Sequence, residues 1–368
     1  MVEGPMKHLD PYRQPEKLRA LASKMNSIDL PDRPINLMEV CGTHTMNIHR
    51  HGIREVLPPN VRLISGPGCP VCVTPRSGID TAVAYARDPD VIVTTFGDMI
   101  RVPGSTSSLS DEKSKGADVR VVYSQIDSIE IAKANPGKTV VLMGIGFETT
   151  IPGNALTVLK ARELGVDNLK LLSLGKIIPP AMELLASNPD LNLHGYLAAA
   201  HVSTIIGLKP YESIAAKGLP VVVAGFEPAD ILAGLIKLLE QVRDERSVVE
   251  NEYSRIARYE GNPKAQEVIN EVFEVVDSEW LGFGVIPSSG MKIRDKYADL
   301  DAEVVHPVEV EQTKIITGCR CGEILMGLID PPECGLFGKV CTPSSPAGAC
   351  MVSTEGTCAA FYKYRSVE

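Results

Sequence analysis

Nine cysteines are the residues of this 368-residue chain best suited to chemistry, and they fall into two blocks. Cys41 stands in Cys41-Gly42-Thr43-His44. Cys69 and Cys72 stand in Gly66-Pro67-Gly68-Cys69-Pro70-Val71-Cys72. A C-x-x-C spacing brings two sulfurs within bridging distance or onto one metal. Pro70 stiffens the turn, while Gly66 and Gly68 free backbone N–H groups and let another group approach closely. Two chemistries fit this block. One is a redox disulfide, because a C-x-x-C at the start of a helix has a lowered thiol pKa. The other is a metal site of three thiolates, Cys41, Cys69 and Cys72, soft donors that bind iron or zinc well. His44 is placed to act as ligand or base, and His49 and His51 read as surface or core residues. Zinc-finger geometry fits poorly, since no second closely spaced pair supplies a fourth ligand. Three thiolates leave open positions, which suits a metal that is loaded and passed on.

The second block holds Cys319, Cys321, Cys334, Cys341, Cys350 and Cys358. Six thiols are two more than one four-iron cluster needs, and the surplus suits a redox pair beside the cluster. In the C-x-C of Cys319 and Cys321, one sulfur can bind iron while its neighbour points elsewhere. The spacing differs from the C-x-x-C-x-x-C run of bacterial ferredoxins, so a zinc-stapled tail competes with the cluster reading. This segment is rich in Gly and Pro, and bound metal would supply the stabilisation that apolar burial does not.

Other polar residues stand at the ends of apolar runs. Gly144-Ile145-Gly146-Phe147-Glu148-Thr149-Thr150 lacks the third glycine of a dinucleotide loop, and no Walker A sequence occurs. Glu148 is costly there unless exposed, paired or used, so it is a candidate proton acceptor. Thr149 or Thr150 is expected to cap a helix. Asp98 and Arg101 are expected to pair or to line one cleft, and His201 reads as a satisfied core histidine.

The elements that must carry these residues are short. Apolar runs at Ile35–Val40, Val61–Ile64, Val91–Thr95 and Val119–Tyr123 alternate with helical segments at Gly78–Ala86 and Ile126–Ala134. After Asn135-Pro136-Gly137 the pattern restarts, with runs at Thr139–Met143, Leu169–Leu174, His194–Ala199 and Pro220–Ala224. Strands apolar on both faces, alternating with helices, predict parallel α/β sheets. The expected organisation is an N-terminal helix and entry loop over 1–34, then α/β units over 35–135 and 136–242. A smaller, loop-rich domain follows over 243–368, charged and helical up to Asp277. The class is α/β: two Rossmann-like parallel-sheet domains plus this mixed, loop-rich domain. A net charge of −9 and only 5% aromatic residues argue against a nucleic-acid surface. No export signal and no run long enough to span a membrane is visible, so a cytoplasmic setting is expected. That compartment is reducing, which favours metal ligation or redox catalysis over a disulfide framework.

Together these segments resemble the HypD family. The resemblance is carried by Cys41-Gly42-Thr43-His44, by Gly66 to Cys72, by Thr95-Phe96-Gly97-Asp98-Met99 and by Gly146-Phe147-Glu148-Thr149-Thr150. In the tail it continues through Cys341-Thr342-Pro343, Gly348-Ala349-Cys350-Met351-Val352-Ser353 and Glu355-Gly356-Thr357-Cys358-Ala359-Ala360. It spans the chain from about residue 35 to the end. The resemblance implies a maturation factor for nickel–iron hydrogenases, an assembly scaffold with redox activity rather than a turnover enzyme. With its small partner HypC it would hold an iron carrying two cyanides and one carbon monoxide. HypE would donate the cyanides, and the hydrogenase large subunit would receive the product. The same likeness implies that Cys41 is the thiol most tied to that iron and that Cys69 and Cys72 form a dithiol nearby. It also implies a 4Fe-4S cluster in surroundings like those of ferredoxin:thioredoxin reductase. On that likeness Cys319, Cys334, Cys341 and Cys358 are the expected ligands, and Cys321 and Cys350 the adjacent disulfide. Cys321 in place of Cys319 is the alternative. His44 and Glu148 would manage protons near the cyanide nitrogens. A stand-alone iron–sulfur thiol–disulfide reductase and a structural zinc protein are the competing classes.

Overall fold

The parallel strands that the apolar runs predict are all present. A computed structural model describes residues 10–310 and 318–364. Its strands run in chain order β1 (Ile35–Glu39), β2 (Val61–Ser65), β3 (Val91–Thr95), β4 (Val119–Val121), β5 (Thr139–Gly146), β6 (Leu169–Gly175), β7 (Leu193–Ala199), β8 (Val221–Ala224), β9 (Val249–Asn251), β10 (Phe273–Trp280) and β11 (Gly284–Ile293). One sheet has the order β2-β1-β7-β8-β9 and the other β4-β3-β5-β6, and all pairs in both are parallel. The protein is α/β.

Helices cover both faces of each sheet, which is why the strands are apolar throughout. Val91, Val93, Val141 and Met143 enter one apolar cluster, while Ile92, Val140 and Leu142 enter another on the opposite face. In the first sheet Leu37, Leu63, Leu197 and Val222 face one cluster and Met38, Ile64, Tyr196 and Val223 the other. Burying an aliphatic side chain contributes roughly 1.5–3 kcal/mol, so these faces hold the sheets between their helices.

Two expectations are corrected. The sheets do not divide at residue 135: β3 and β5 pair directly across that point. The second sheet is instead an insertion between β2 and β7 of the first. Runs of equal length and texture carry no mark of which sheet they join. The stretch from Arg243 to Asp277 is not one charged helix either. Val249–Asn251 is an edge strand, Pro263–Val272 is helical, and β10 pairs with β11 as an antiparallel hairpin. The β-rich pattern Phe273-Glu274-Val275-Val276, with alternating exposure, was the missed signal.

The hairpin has a structural task. Its turn donates the Leu281 N–H to the carbonyl of Val73, and Gly282 lies directly against Gly322. It therefore joins the short helix Pro70–Val73 to the tail helix Cys321–Leu325. Trp280, 1% exposed, anchors it through Nε1–H donated to Ser289 Oγ at 2.8 Å and a stack on Phe147.

Candidate thiol centre

Strand ends gather the first block, as the open ends of parallel sheets do. Cys41 follows β1 and stands at the N-cap of the helix Gly42–Arg50, with extended backbone. Cys69 follows β2 and caps the helix Pro70–Val73, its sulfur accepting the backbone N–H of Cys72 at 3.3 Å. The two loops are in backbone contact. Gly42 N–H donates to the carbonyl of Gly68 at 2.8 Å, and a Cβ on Gly68 would lie 2.1 Å from Cys41 N. Only glycine permits that approach.

Cys41, Cys69 and Cys72 do not converge on one point. Among the described residues no three His, Cys, Asp or Glu side chains are arranged to hold a single metal ion. Cys41 packs with Ala199 and Val202, whereas Cys69 and Cys72 join the apolar cluster that contains the tail cysteines. The three-thiolate site is thus replaced by a single thiol beside a dithiol.

Around Cys41 lie His201 and His44, together with two carboxylates, Glu39 and Glu355, that the sequence pattern does not single out. Its sulfur is 3.8 Å from His201 Nδ1, so His201 is not a bystander of the core. Glu39 accepts the Cys41 backbone N–H at 3.0 Å and the hydroxyl of Thr45, and burial pushes its carboxyl up to about 7. Thr43 Oγ1–H donates to Glu355 Oε1 at 2.6 Å, bringing a tail carboxylate to the same helix end. Burial first, then the charge of Glu355, raises the Cys41 thiol pKa. His44 donates Nε2–H to the carbonyl of Gly225 at 2.8 Å, and its buried Nδ1 has no partner. Burial pulls both His44 and His201 down to about 4, so both are neutral near pH 7. Each ring packs on Phe226, at 4.9 and 5.0 Å between centroids. One signal for Glu39 was available: a carboxylate inside a strand buried on both faces is expensive without a use.

The second block reaches the first. Cys72 is fully buried, which pushes its thiol well up; its sulfur donates to the Ala349 carbonyl at 3.9 Å, and the Cys350 and Cys69 side chains lie beside it. Cys350 in turn contacts Cys321 and Cys358. Cys319 and Cys321 sulfurs are 3.3 Å apart. Cys341 accepts the Ala347 N–H at 3.3 Å and lies in the field of Cys321 and Cys319, and Cys334 joins the same apolar cluster. Cys319 alone of the nine is part-exposed. It and Cys321 line a cavity of 270 Å³ with Thr74, Arg76, Leu281 and Gly348.

The tail thus fits a thiolate-held cluster. Its donor set is six soft thiols. At Gly348 a Cβ would lie 2.5 Å from Cys321 Sγ and 2.9 Å from Cys319 Sγ, so glycine leaves a cradle beside those sulfurs. A cubane holds its four thiolates apart at its corners, an arrangement unlike the ligand shell of one ion.

Glu148 stands in the turn after β5, and its charge, like that of Cys41, acts on the buried Tyr211 hydroxyl. Its Oε1 accepts the Ile178 N–H at 2.9 Å, its Oε2 is buried without a partner, and burial pushes its pKa up to about 7. Lys176, likewise buried, was unforeseen: it follows β6 and donates to Ser278 Oγ, and burial pulls it down to about 8. Two smaller expectations change. Arg101 donates to the carbonyls of Pro343 and Val352 rather than to Asp98, because the tail folds over that turn. Thr150 occupies the N-cap of the helix Ile151–Leu164, but its side chain makes no capping hydrogen bond. His49 packs at a tilt against Phe361 and His51 is exposed. No helix among the described residues is long and apolar enough to cross a membrane.

Comparison with known proteins places this architecture. The family model HypD, described as "Hydrogenase formation hypA family", matches residues 16–365. Hydrogenase maturation factor HypD2 of Bradyrhizobium diazoefficiens is 45% identical, covering 98% of this chain and 97% of that protein. Hydrogenase maturation factor HypD of Escherichia coli is 44% identical over 99% of each chain. The HypD of Rhizobium leguminosarum is 43% identical over 98% of this chain and 96% of its own.

Proposed function

The chain belongs to the HypD family of hydrogenase maturation factors, and on that premise we propose that it is the scaffold on which, with HypC, an iron bearing two cyanides and one carbon monoxide is assembled. HypE supplies the cyanides, and HypC carries the finished group to the large subunit of a nickel–iron hydrogenase. The work takes place in the reducing cytoplasm. The observation that supports this reading best is the unbroken line of thiols from Cys69 and Cys72 through Cys350 to the tail.

Cys41 gives the cargo iron a soft thiolate, and a cysteine of HypC gives a second. His201 Nδ1 is the acceptor nearest the Cys41 thiol proton. His44 and Glu148 each hold one buried polar atom without a partner, His44 Nδ1 and Glu148 Oε2. Both atoms are suited to take or give a proton near a cyanide nitrogen.

Four of the six tail thiols, with Cys319, Cys334, Cys341 and Cys358 as the first choice, would hold a 4Fe-4S cluster, which when bound would supply electrons one at a time. The remaining pair, Cys321 and Cys350, passes them on in twos. Cys350 attacks Cys72 of an oxidised Cys69–Cys72 bond, and Cys69 leaves as thiolate. The backbone N–H that its sulfur accepts favours that departure. Cys321 then attacks Cys350 in the mixed disulfide and frees Cys72. The net result is two electrons and two protons moved from Cys321 and Cys350 to Cys69 and Cys72.

A stand-alone reductase of protein disulfides is the weaker reading. Cys69 is 3% and Cys72 0% exposed, so a macromolecular disulfide has no access to them. Infrared spectroscopy of the chain purified with HypC tests the proposal. The cyanide and carbonyl bands are expected in the wild type and absent in Cys41→Ala; bands of wild-type intensity in that variant would end the scaffold reading.

A further inference from the structure

Cys41 is 2% exposed, yet a thiol that loads and releases a cargo must be reached. A piece of the tail lies against the residues that follow it, and the charge of Glu355 acts on its thiol. Glu355 receives the Thr43 hydroxyl, and the backbone there is pressed against the start of the helix Gly42–Arg50. A Cβ at Gly42 would meet Glu355 Cβ at 2.5 Å and its carbonyl oxygen at 2.6 Å.

The same few residues touch the tail thiols. Gly356 packs on the backbone of Cys350, where a Cβ would lie 2.2 Å from the Cys350 carbonyl oxygen. Its N–H donates to the Ser353 carbonyl at 2.9 Å, closing a tight turn. Arg101 holds the neighbouring Val352 carbonyl from outside. One residue after Thr357 stands Cys358, in the first turn of the helix Thr357–Tyr364, and the Phe361 ring of that helix packs at a tilt on His49 of the Cys41 helix. Only seven residues separate Cys350 from Cys358. The turn at Ser353–Gly356 thus sits between two tail cysteines close to it in sequence.

We propose that Ser353–Gly356 is a strap over Cys41, positioned by Glu355, and that its closure is set by whether Cys350 and Cys358 at its two ends are held or free. With both sulfurs held, by metal or by a neighbouring sulfur, the strap is drawn down and Cys41 is covered. With either freed, the strap lifts and Cys41 opens to its cargo and to a partner. Glu355 is a positioning residue here: it acts on Cys41 through Thr43 and the helix end. The purpose of the opening rests on the scaffold reading above, whereas the strap itself does not.

Anaerobic labelling of the full chain with iodoacetamide, with the Cys41 peptide followed by mass spectrometry, reads the opening directly. Slow labelling is expected in the wild type. Glu355→Ala and Thr43→Val remove the same hydrogen bond from its two ends and should each speed Cys41 labelling roughly ten- to a hundredfold, as for loss of a hydrogen bond to a charged group. Glu355→Gln keeps an acceptor oxygen and should restore slow labelling. Cys350→Ser and Cys358→Ser, remote from Cys41, should also speed it. Circular dichroism separates a lifted strap from an unfolded chain. Unchanged labelling in Glu355→Ala and Thr43→Val overturns the strap. Unchanged labelling in both serine variants overturns its coupling to the tail. Neither result bears on the infrared bands that test the scaffold, so the two ideas fail separately.

Discussion

Gly68→Ala is the sharpest test of how the first block is built. The added Cβ would lie 2.1 Å from Cys41 N, 2.3 Å from Cys41 Cα and 2.5 Å from the Val40 carbonyl carbon. All three are backbone atoms, so no side chain can swing aside. Relief to ordinary contact requires the two strand-end loops to part by more than about 1 Å, which lengthens the hydrogen bond from Gly42 N–H to the Gly68 carbonyl. Overpacking costs about 1–3 kcal/mol and the strained hydrogen bond about 1 more, so a loss of about 2–4 kcal/mol is expected. Gly137→Ala is the control, because a Cβ there meets nothing within 4 Å. Urea unfolding of both variants measures the difference. The same parting moves Cys41 away from Cys69, and infrared bands of the cyanide- and carbonyl-bearing iron should weaken along with stability. If Gly68→Ala unfolds within about 0.5 kcal/mol of wild type, the size of an ordinary surface substitution, the two loops are not mutually braced.

Two further outcomes follow from the same geometry. Glu148, buried and pushed to about 7, holds its proton in the folded chain after the unfolded chain has lost it near the ordinary value of 4.5. Stability from this group is therefore complete below about 4.5, falls as pH rises to about 7, and is flat above, a loss of order 3 kcal/mol. Glu148→Gln should flatten that part of the denaturation-versus-pH curve, leaving the share of Glu39; an unchanged slope between pH 5 and 7 counts against the burial argument. In a Cys69→Ser, Cys321→Ser double variant, mild oxidation should link Cys72 to Cys350, since each has lost its other exchange partner. Peptide mapping that finds Cys72 joined to another cysteine would refute the exchange route.

Much of this was legible in the chain itself. The apolar runs announced the parallel strands because a strand buried on both faces has no polar residues to hide. The N-terminal helix expected within 1–34 is present as Pro15–Asn26. The hairpin β10–β11 escaped notice because its charged, half-exposed alternation resembles a solvated helix until the period is counted. The glycine-rich segment after β5 has a local structural reason. Its Gly146 has φ +146°, and a side chain there would strike Thr150, so the glycine serves a turn at Glu148.

Residue types and local spacing by themselves determined that this is an α/β protein with two cysteine blocks at chemically open positions. These are properties of one short segment at a time. Which strands share a sheet, and which thiols meet, depend on contacts between segments hundreds of residues apart. Tertiary structure decided that Cys41 stands alone with His201, Glu39 and Glu355 rather than in a triad with Cys69 and Cys72. It also decided that Cys72 meets Cys350, across 278 positions of sequence. No spacing rule reaches that far, because the distance between two sulfurs is set by how the sheets, the hairpin and the tail pack, and packing is a property of the whole chain.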